Sequence, residues 1–283
     1  MVITGASTGI GEACALHLDA LGFRVFAGVR KEPDGEALRQ RASDRLTPLF
    51  IDLTEPASIA AAAQTVTDAL DGEGLAGLVN NAGIAVAGPV EFVPIAEVRR
   101  QFEVNVTGQI AVTQAFLPLL RKARGRVVNM GSSGGRWSKP FMGTYCASKF
   151  ALRAVTDALR IELRPWGIHV SLVEPGAVTT PIWEKSMTAA EVMLGNFPQR
   201  AHDLYGRAFA VVRQYMMEAW RSAVPPGAVA KAVAHALTAR RPRIHYFVGR
   251  DARLMAACAR LLPDWLLDRL ILWYLYERRH PLA

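Results

Sequence analysis

Tyr145 and Lys149 stand four residues apart in Tyr145-Cys146-Ala147-Ser148-Lys149, at the start of a strongly helical stretch. That spacing puts both side chains on one helix face. A free phenol titrates near ~10 and a free lysine near ~10.4. An ammonium beside a phenol favours phenolate and draws the tyrosine toward working pH. Such a pair can give a proton to a nascent alkoxide or take one from an alcohol. As an isolated motif it also describes an ordinary surface Tyr and Lys. Upstream, Gly131-Ser132-Ser133-Gly134-Gly135 follows an apolar strand-like run. A serine hydroxyl there can donate to a substrate carbonyl.

A second group of residues suits a phosphate-rich ligand. Thr4-Gly5-Ala6-Ser7-Thr8-Gly9-Ile10-Gly11 links a strand to a helix. Its glycines permit a sharp turn and close approach to a pyrophosphate, and the helix start offers free N–H groups and partial positive charge. The spacing is G-x-x-x-G-x-G and departs from the common G-x-G-x-x-G dinucleotide fingerprint. The second strand ends Ala27-Gly28-Val29-Arg30-Lys31, without the carboxylate that would accept from an NAD ribose 2′-OH. Arg30 instead suits a ribose 2′-phosphate. Asp52-Leu53, after the third strand, offers a polar and an apolar side chain to an adenine edge and face, and Asn80-Asn81-Ala82-Gly83 reads as a turn close to a ligand.

These residues need a scaffold. Strands are expected near 1–4, 23–29, 47–52, 75–80, 125–130, 168–174 and 243–248, with helices near 11–21, 35–42, 56–70, 95–121, 145–164 and 227–239. Such alternation means parallel strands joined by crossover helices. In an open parallel sheet ligands bind beyond the C-terminal strand ends, where all the motifs above fall. Two stretches break the alternation. Residues 178–224 form a long insertion, read as a lid, and 251–283 a C-terminal helical appendage; residues 1–250 with the lid form one catalytic domain.

The 283 residues are 51% hydrophobic and 20% charged, enough for one large α/β core and unlike a disordered chain. Cys14, Cys146 and Cys258 are sparse, odd in number and lack metal-ligand spacing, which points to a reducing, cytoplasmic setting. Residues 1–5 already read as a strand entering a turn, so no targeting segment is expected; the strand looks short by a few residues. No run of 18 apolar residues suggests a spanning helix. The net charge is +8, of which residues 240–283 carry +5 through nine Arg and four acidic residues. A solvated basic surface is the plain reading, anionic lipid or a partner the next, and nucleic acid is not expected. His17, His169, His202, His235, His245 and His280 are scattered and read as structural or surface residues, with no metal site.

Six motifs in register, TGASTGIG at 4–11, NNAG at 80–83, VNVTG at 104–108, GSSGG at 131–135, YCASK at 145–149 and EPG at 174–176, resemble the short-chain dehydrogenase/reductase family. The resemblance extends to about residue 250. It implies a single-domain, Rossmann-like, doubly wound parallel sheet of about seven strands in the order 3-2-1-4-5-6-7, and hydride transfer between a nicotinamide cofactor and a carbonyl or alcohol. By motif, Ser132 is the catalytic serine, thirteen residues before Tyr145. Asn105 completes the catalytic set, anchoring a water in the proton relay, and Lys149 also holds the nicotinamide ribose. The cofactor set is Gly5, Ser7, Thr8, Gly9, Ile10, Gly11, Arg30, Asp52, Leu53, Asn81, Ala82, Gly83, Tyr145, Lys149, Pro175, Gly176 and Thr180. Thr180 matches the contact to the carboxamide, and Ser7 and Arg30 the 2′-phosphate positions. NADP(H) is favoured, with NAD(H) as the alternative, since no basic residue occupies 6–8. The family also implies a homodimer or homotetramer.

The segment from Pro140-Phe141 through Tyr145 to Phe150 resembles the steroid- and retinol-converting branch. With the large, mostly Met and aromatic, side chains of the lid (Trp183, Met187, Met193, Leu194, Phe197, Leu204, Tyr205, Phe209, Tyr215, Met216, Met217 and Trp220) it suggests a bulky apolar alcohol or ketone. An ordinary packed lid is the competing expectation. In the appendage, residues 265–276 are apolar almost all round, and a helix of that kind is buried or meets another subunit or a membrane surface. A dinucleotide-binding sensor or scaffold without turnover is the alternative from another class, and a sugar-nucleotide epimerase or dehydratase the third.

Overall fold

The computed structural model describes residues 1–221 and 223–273, leaving aside the side chains of 183–187, 189, 190 and 219. Tyr274, Leu275, Tyr276 and His280, and the side chains of Trp183 and Met187, therefore lie outside the described residues.

Seven parallel strands form one sheet: β1 (Val2–Ile3), β2 (Val25–Val29), β3 (Leu46–Phe50), β4 (Gly77–Asn80), β5 (Arg126–Met130), β6 (His169–Pro175) and β7 (His245–Val248). Their order is 3-2-1-4-5-6-7. Val2 sits beside Phe26 on one side and Leu78 on the other. Successive strand residues point to opposite faces. Val2, Phe26, Leu78 and Val127 thus pack one way, against α3 (Pro56–Leu70) and α5 (Gly108–Ala123). Ile3, Ala27, Val79 and Val128 pack the other way, against α1 (Gly9–Ala20) and α9 (Pro226–Thr238). Burial on both faces explains why these strands read as continuous apolar runs rather than alternating ones.

Two helices differ from expectation. α2 (Glu32–Arg39) starts earlier than 35 because Pro33 presets its first turn and Glu32 and Asp34 favour its positive end. The single helix expected over 95–121 is α4 (Ile95–Phe102), a π-turn over Glu103–Thr107, and α5. The widened turn holds Asn105, and π-turns recur at functional sites. α6 (Gly143–Glu162) follows β5. The insertion is helical, α7 (Pro181–Gly195) and α8 (Gln199–Arg221). Its ends are tied at the base, where the Thr179 N–H donates to the Val224 carbonyl (3.0 Å) and the Val224 N–H to that of Ala177 (3.1 Å). The appendage folds as α10 (Arg250–Leu261) and α11 (Asp264–Leu272).

Candidate active site

The sheet order reverses between β1 and β4, and the turns leaving both strands open the site. Thr4 pins them together. Its hydroxyl accepts from the N–H groups of Asn81 (3.0 Å) and Ala82 (3.1 Å). The Asn81 amide in turn donates to the carbonyls of Thr4 (3.0 Å) and Gly5 (3.1 Å), so its side chain braces the glycine turn rather than reaching outward. Gly5 and Gly9 have φ of +65° and +64°, a region that costs a side chain dearly. A Cβ on Gly11 would strike the Gly5 carbonyl, so Gly11 lies beneath the turn, packing it against α1. Thr8, the residue before α1, makes no side-chain cap, which leaves the helix start with donors facing the cleft.

That cleft, about 770 Å³, runs from Arg30, Asp52 and Leu53 past the glycine turn to Tyr145, Lys149 and Thr180. All the cofactor residues expected from the sequence line it except Gly11. Asp52 is held by Thr54, whose N–H (2.9 Å) and hydroxyl (2.7 Å) both donate to Oδ1. The Thr54 backbone bond leads in keeping its carboxyl below the usual range, against its partial burial, and Arg30 adds its charge. The elongated shape, the side-chain-free turn against a helix start and the basic far end fit a dinucleotide. Ser7, Thr8, Gly9 and Ile10 would hold its phosphates, Arg30 and Asp52 its adenosine end, and Lys149 and Thr180 its nicotinamide end.

The catalytic end depends on close packing of the turn Ser133–Gly135 on α6. A Cβ on Gly135 would stand 2.9 Å from the Lys149 carbonyl, and one on Gly134 3.5 Å from the Tyr145 ring. The two glycines therefore let Ser132 come alongside Tyr145. The Gly134 N–H donates to Ser132 Oγ (3.1 Å), and Ser132 and Tyr145 line the cleft together. Ser133 is buried in the turn and does not line the cleft. Lys149, buried, donates to the Met130 carbonyl (2.9 Å) and keeps its other N–H bonds for the cleft. Its ammonium is 5.9 Å from the Tyr145 ring centroid.

The electrostatics differ from the sequence expectation of a lowered tyrosine. Burial pushes Tyr145 up to about 12, outweighing the opposing effect of the Ser132 hydroxyl. Burial likewise draws Lys149 down to about 8. Asn105 stands behind the cleft wall. Its side-chain oxygen accepts from the Ile84 N–H (2.9 Å), and its amide donates to the Ile84 carbonyl (2.9 Å) and Ser148 (3.0 Å). It joins the π-turn to α6 and to the loop after β4.

A second cavity, about 1340 Å³, opens on the other side of Ser132 and Tyr145. Only part of the lid faces it. Tyr215, Met216, Met217 and Trp220 on the last turns of α8 line the wall, while Met193, Leu194, Phe197, Leu204, Tyr205 and Phe209 do not. Phe197 and Tyr205 pack on Phe92, and Tyr205 and Phe209 on Phe141, with centroids 5.5–6.1 Å apart. Phe141 holds φ of +62°, unusual for a bulky residue, and its carbonyl accepts from Gly88 (2.7 Å). That backbone turn aims its ring at the lid, away from the cavity that Lys139, Pro140 and Met142 line. The appendage supplies the opposite wall, through Leu254 and Met255 of α10 and Leu267 and Leu270 of α11. Leu267 is buried, whereas Leu261 and Trp265 remain 77% and 66% exposed.

A buried ion network escaped the sequence reading. Arg136, just after the serine turn, donates to Glu174 through Nε (2.7 Å) and Nη2 (3.0 Å), and His245 lies 3.0 Å from the same carboxylate. Glu174 is fully buried. Hydrogen bonds from His245 and Arg136 overcome its larger burial penalty and hold its carboxyl below the usual range. EPG at 174–176 entered the sequence reading only as a family motif; its acidic residue pairs with β7 and the serine turn only in three dimensions.

A model described as short chain dehydrogenase matches residues 1–191. Retinol dehydrogenase 5 of Homo sapiens is 40% identical over 282 residues, covering 96% of this chain and 87% of the relative. NADPH-dependent 3-dehydrocapnine reductase of Ornithobacterium rhinotracheale is 35% identical, covering 95% and 94%. Estradiol 17-beta-dehydrogenase 2 of Mus musculus is 36% identical, covering 100% and 76%. Among solved structures, a short chain dehydrogenase/reductase of Burkholderia phymatum in complex with NAD superposes with TM-score 0.77 at 27% identity, covering 95% and 94%. A short chain dehydrogenase of Burkholderia cenocepacia J2315 in complex with NADP gives 0.72 at 26%, covering 95% of each.

Proposed function

This chain belongs to the short-chain dehydrogenase family, on the branch similar to steroid and retinol dehydrogenases, and from that premise we propose that it moves a hydride between NADP(H) and a bulky apolar alcohol or ketone. One observation carries the reading. Ser132 and Tyr145 line both the dinucleotide-shaped cleft and the larger, mostly apolar cavity, so they stand where cofactor and substrate must meet.

The residues divide the work. Ser132 and Tyr145 hydroxyls hold the substrate oxygen between them and polarise it. Tyr145, neutral because burial holds its proton, donates that proton as the oxygen gains charge, and takes it back in the reverse direction. Lys149 sets its ammonium beside the ring and stabilises the phenolate left behind. Asn105 fixes the loop and helix on which this geometry rests. A bound dinucleotide supplies or accepts the hydride at its nicotinamide ring. The lack of an acidic residue at the end of β2, Val29-Arg30-Lys31, and the position of Arg30 support NADP(H) over NAD(H), as does the name of the bacterial relative.

In this reading residues 1–250 form the catalytic domain with lid 178–224, and 251–283 the C-terminal appendage, whose helices α10 and α11 wall the substrate cavity. The three free thiols support a cytoplasmic setting. Exposed Leu261 and Trp265 beside Arg253, Arg260 and Arg269 support peripheral contact of the tail with a membrane or a second subunit, and the family habit supports a homo-oligomer.

The test is a graded series of ketones and alcohols, short and polar to long and apolar, followed by absorbance of the reduced cofactor. Burial of apolar surface contributes about 25 cal/mol per Å², so kcat/KM is expected to climb with substrate size. A maximum on small polar substrates overturns the substrate class. No turnover of any member overturns the enzyme reading and favours a dinucleotide sensor.

A further inference from the structure

Lys139 is a charged residue of the large cavity that the mechanism leaves unused. It lies in the wall with Pro140 and Met142 and does not border the dinucleotide cleft, so it is no partner for cofactor phosphates. Burial draws its ammonium below the ordinary lysine range, and the nearby Cys146 and Asp251 offset only part of that cost. Its carbonyl accepts from the Met142 N–H (3.1 Å), while among the described residues its ammonium makes no hydrogen bond or ion pair. The acids of the same lining are otherwise engaged. Asp251 accepts from the Ala177 N–H (2.7 Å), Glu191 pairs with Arg213 (3.4 Å), and Glu218 accepts from Gln214 (3.2 Å). Besides Arg213, which Glu191 engages, Arg250 at the start of α10 adds a further basic residue to the lining.

A half-buried ammonium with no acceptor of its own, set in a largely apolar cavity wall, is stabilised when an oxygen acceptor joins it. The surrounding wall is apolar, with Met142, Met216, Trp220, Leu254 and Leu267. A ligand that satisfies both is an amphiphile. We propose that Lys139 holds an acidic head group, a carboxylate, sulfonate or phosphate, on an otherwise apolar substrate, so that the enzyme's ligand is an anionic amphiphile rather than a neutral steroid- or retinoid-like alcohol. The inference rests on the reading that this cavity takes the substrate. It adds a charge to a ligand described so far only as apolar.

The experiment measures binding without turnover, so its failure is separate from failure of the dehydrogenase reading. Dodecanoate, dodecane-1-sulfonate and dodecyl phosphate are titrated calorimetrically at pH 7 against dodecan-1-ol, all below their micelle concentrations. The three anions distinguish the head groups. At least one anion is expected to bind about tenfold or more tightly than the alcohol, as a charge-assisted bond predicts. Lys139→Met should bring that anion to within about twofold of the alcohol, and Lys139→Arg should keep the preference. Lys139→Gln replaces the methionine variant if the latter fails to fold. Equal affinities in the wild type, no binding of any probe, or an anion preference that survives Lys139→Met or Lys139→Gln would each overturn the proposal.

Discussion

Lys149 holds its ammonium 5.9 Å from the ring centroid of Tyr145, one turn along the same helix, while donating to the Met130 carbonyl at 2.9 Å. The lysine thus ties α6 to β5 and sets its charge beside the Tyr145 ring. Tyr145→Phe removes only a hydroxyl from this arrangement. The fold and cofactor binding should survive while kcat falls about 10²–10⁴-fold, the usual worth of acid–base assistance. Lys149→Met should lose a similar factor and also weaken cofactor binding, because its remaining donors face the cleft. Steady-state kinetics with cofactor titration by fluorescence checks both, and near-normal kcat in Tyr145→Phe rules out the assignment.

The buried lysine also sets a pH dependence. Lys149 is drawn down to about 8 and Tyr145 pushed up to about 12. For carbonyl reduction, kcat/KM of the wild type should be flat below pH 8 and fall above it as the ammonium is lost, with Tyr145 still protonated. The stability sign follows from the same values. Between about 8 and the unfolded lysine value of ~10.4 the unfolded chain binds more protons, so this group's desolvation cost, carried in full below 8, is relieved as pH rises. A profile with no break between pH 7 and 9 contradicts the role given to the charged lysine.

Arg30 lines the far end of the cleft with Asp52 and adds its charge to the Thr54 hydrogen bonds that hold that carboxyl low. If it pairs with a ribose 2′-phosphate, Arg30→Ala should raise KM for NADPH about tenfold or more and leave NADH nearly unchanged. Val29→Asp should supply the missing ribose acceptor and shift preference toward NAD. Equal use of both cofactors by the wild type, unaltered in Arg30→Ala, removes the NADP preference.

Glu174 anchors the serine turn through Arg136 and the last strand through His245. Removing one partner of a buried pair leaves an uncompensated charge, so Glu174→Gln should destabilise by on the order of 3 kcal/mol, read as a lower urea midpoint. Its lowered carboxyl gives stability that is present above the unfolded value of ~4.3 and lost as pH falls through the folded one. The variant should therefore be less sensitive to acid than the wild type between pH 5 and 3. An unchanged midpoint at pH 7 shows the network to be dispensable.

The linear chain already determined the sheet and its chemical outline. Apolar runs such as Val25–Val29 and Val127–Met130 report burial on both faces, and the glycine, serine and Tyr–Lys spacings are local, so their pattern survives in one dimension. Sixteen of the seventeen residues they single out for a dinucleotide line one cleft, and Ser132 and Tyr145 line it together. Tertiary structure decided what depends on distant neighbours. Desolvation raised Tyr145 and lowered Lys149, because burial is a sum over the whole fold and opposes the local i, i+4 effect. Amphipathic spacing could not say which lid residues face the cavity, since the φ of +62° at Phe141 recruits Tyr205 and Phe209 into a separate aromatic cluster. The Arg136–Glu174–His245 network joins positions up to 109 residues apart, and the placement of α10 and α11 turns a sequence appendage into a cavity wall. Contacts of that reach are set by how helices dock on a twisted sheet, and no spacing along the chain encodes them.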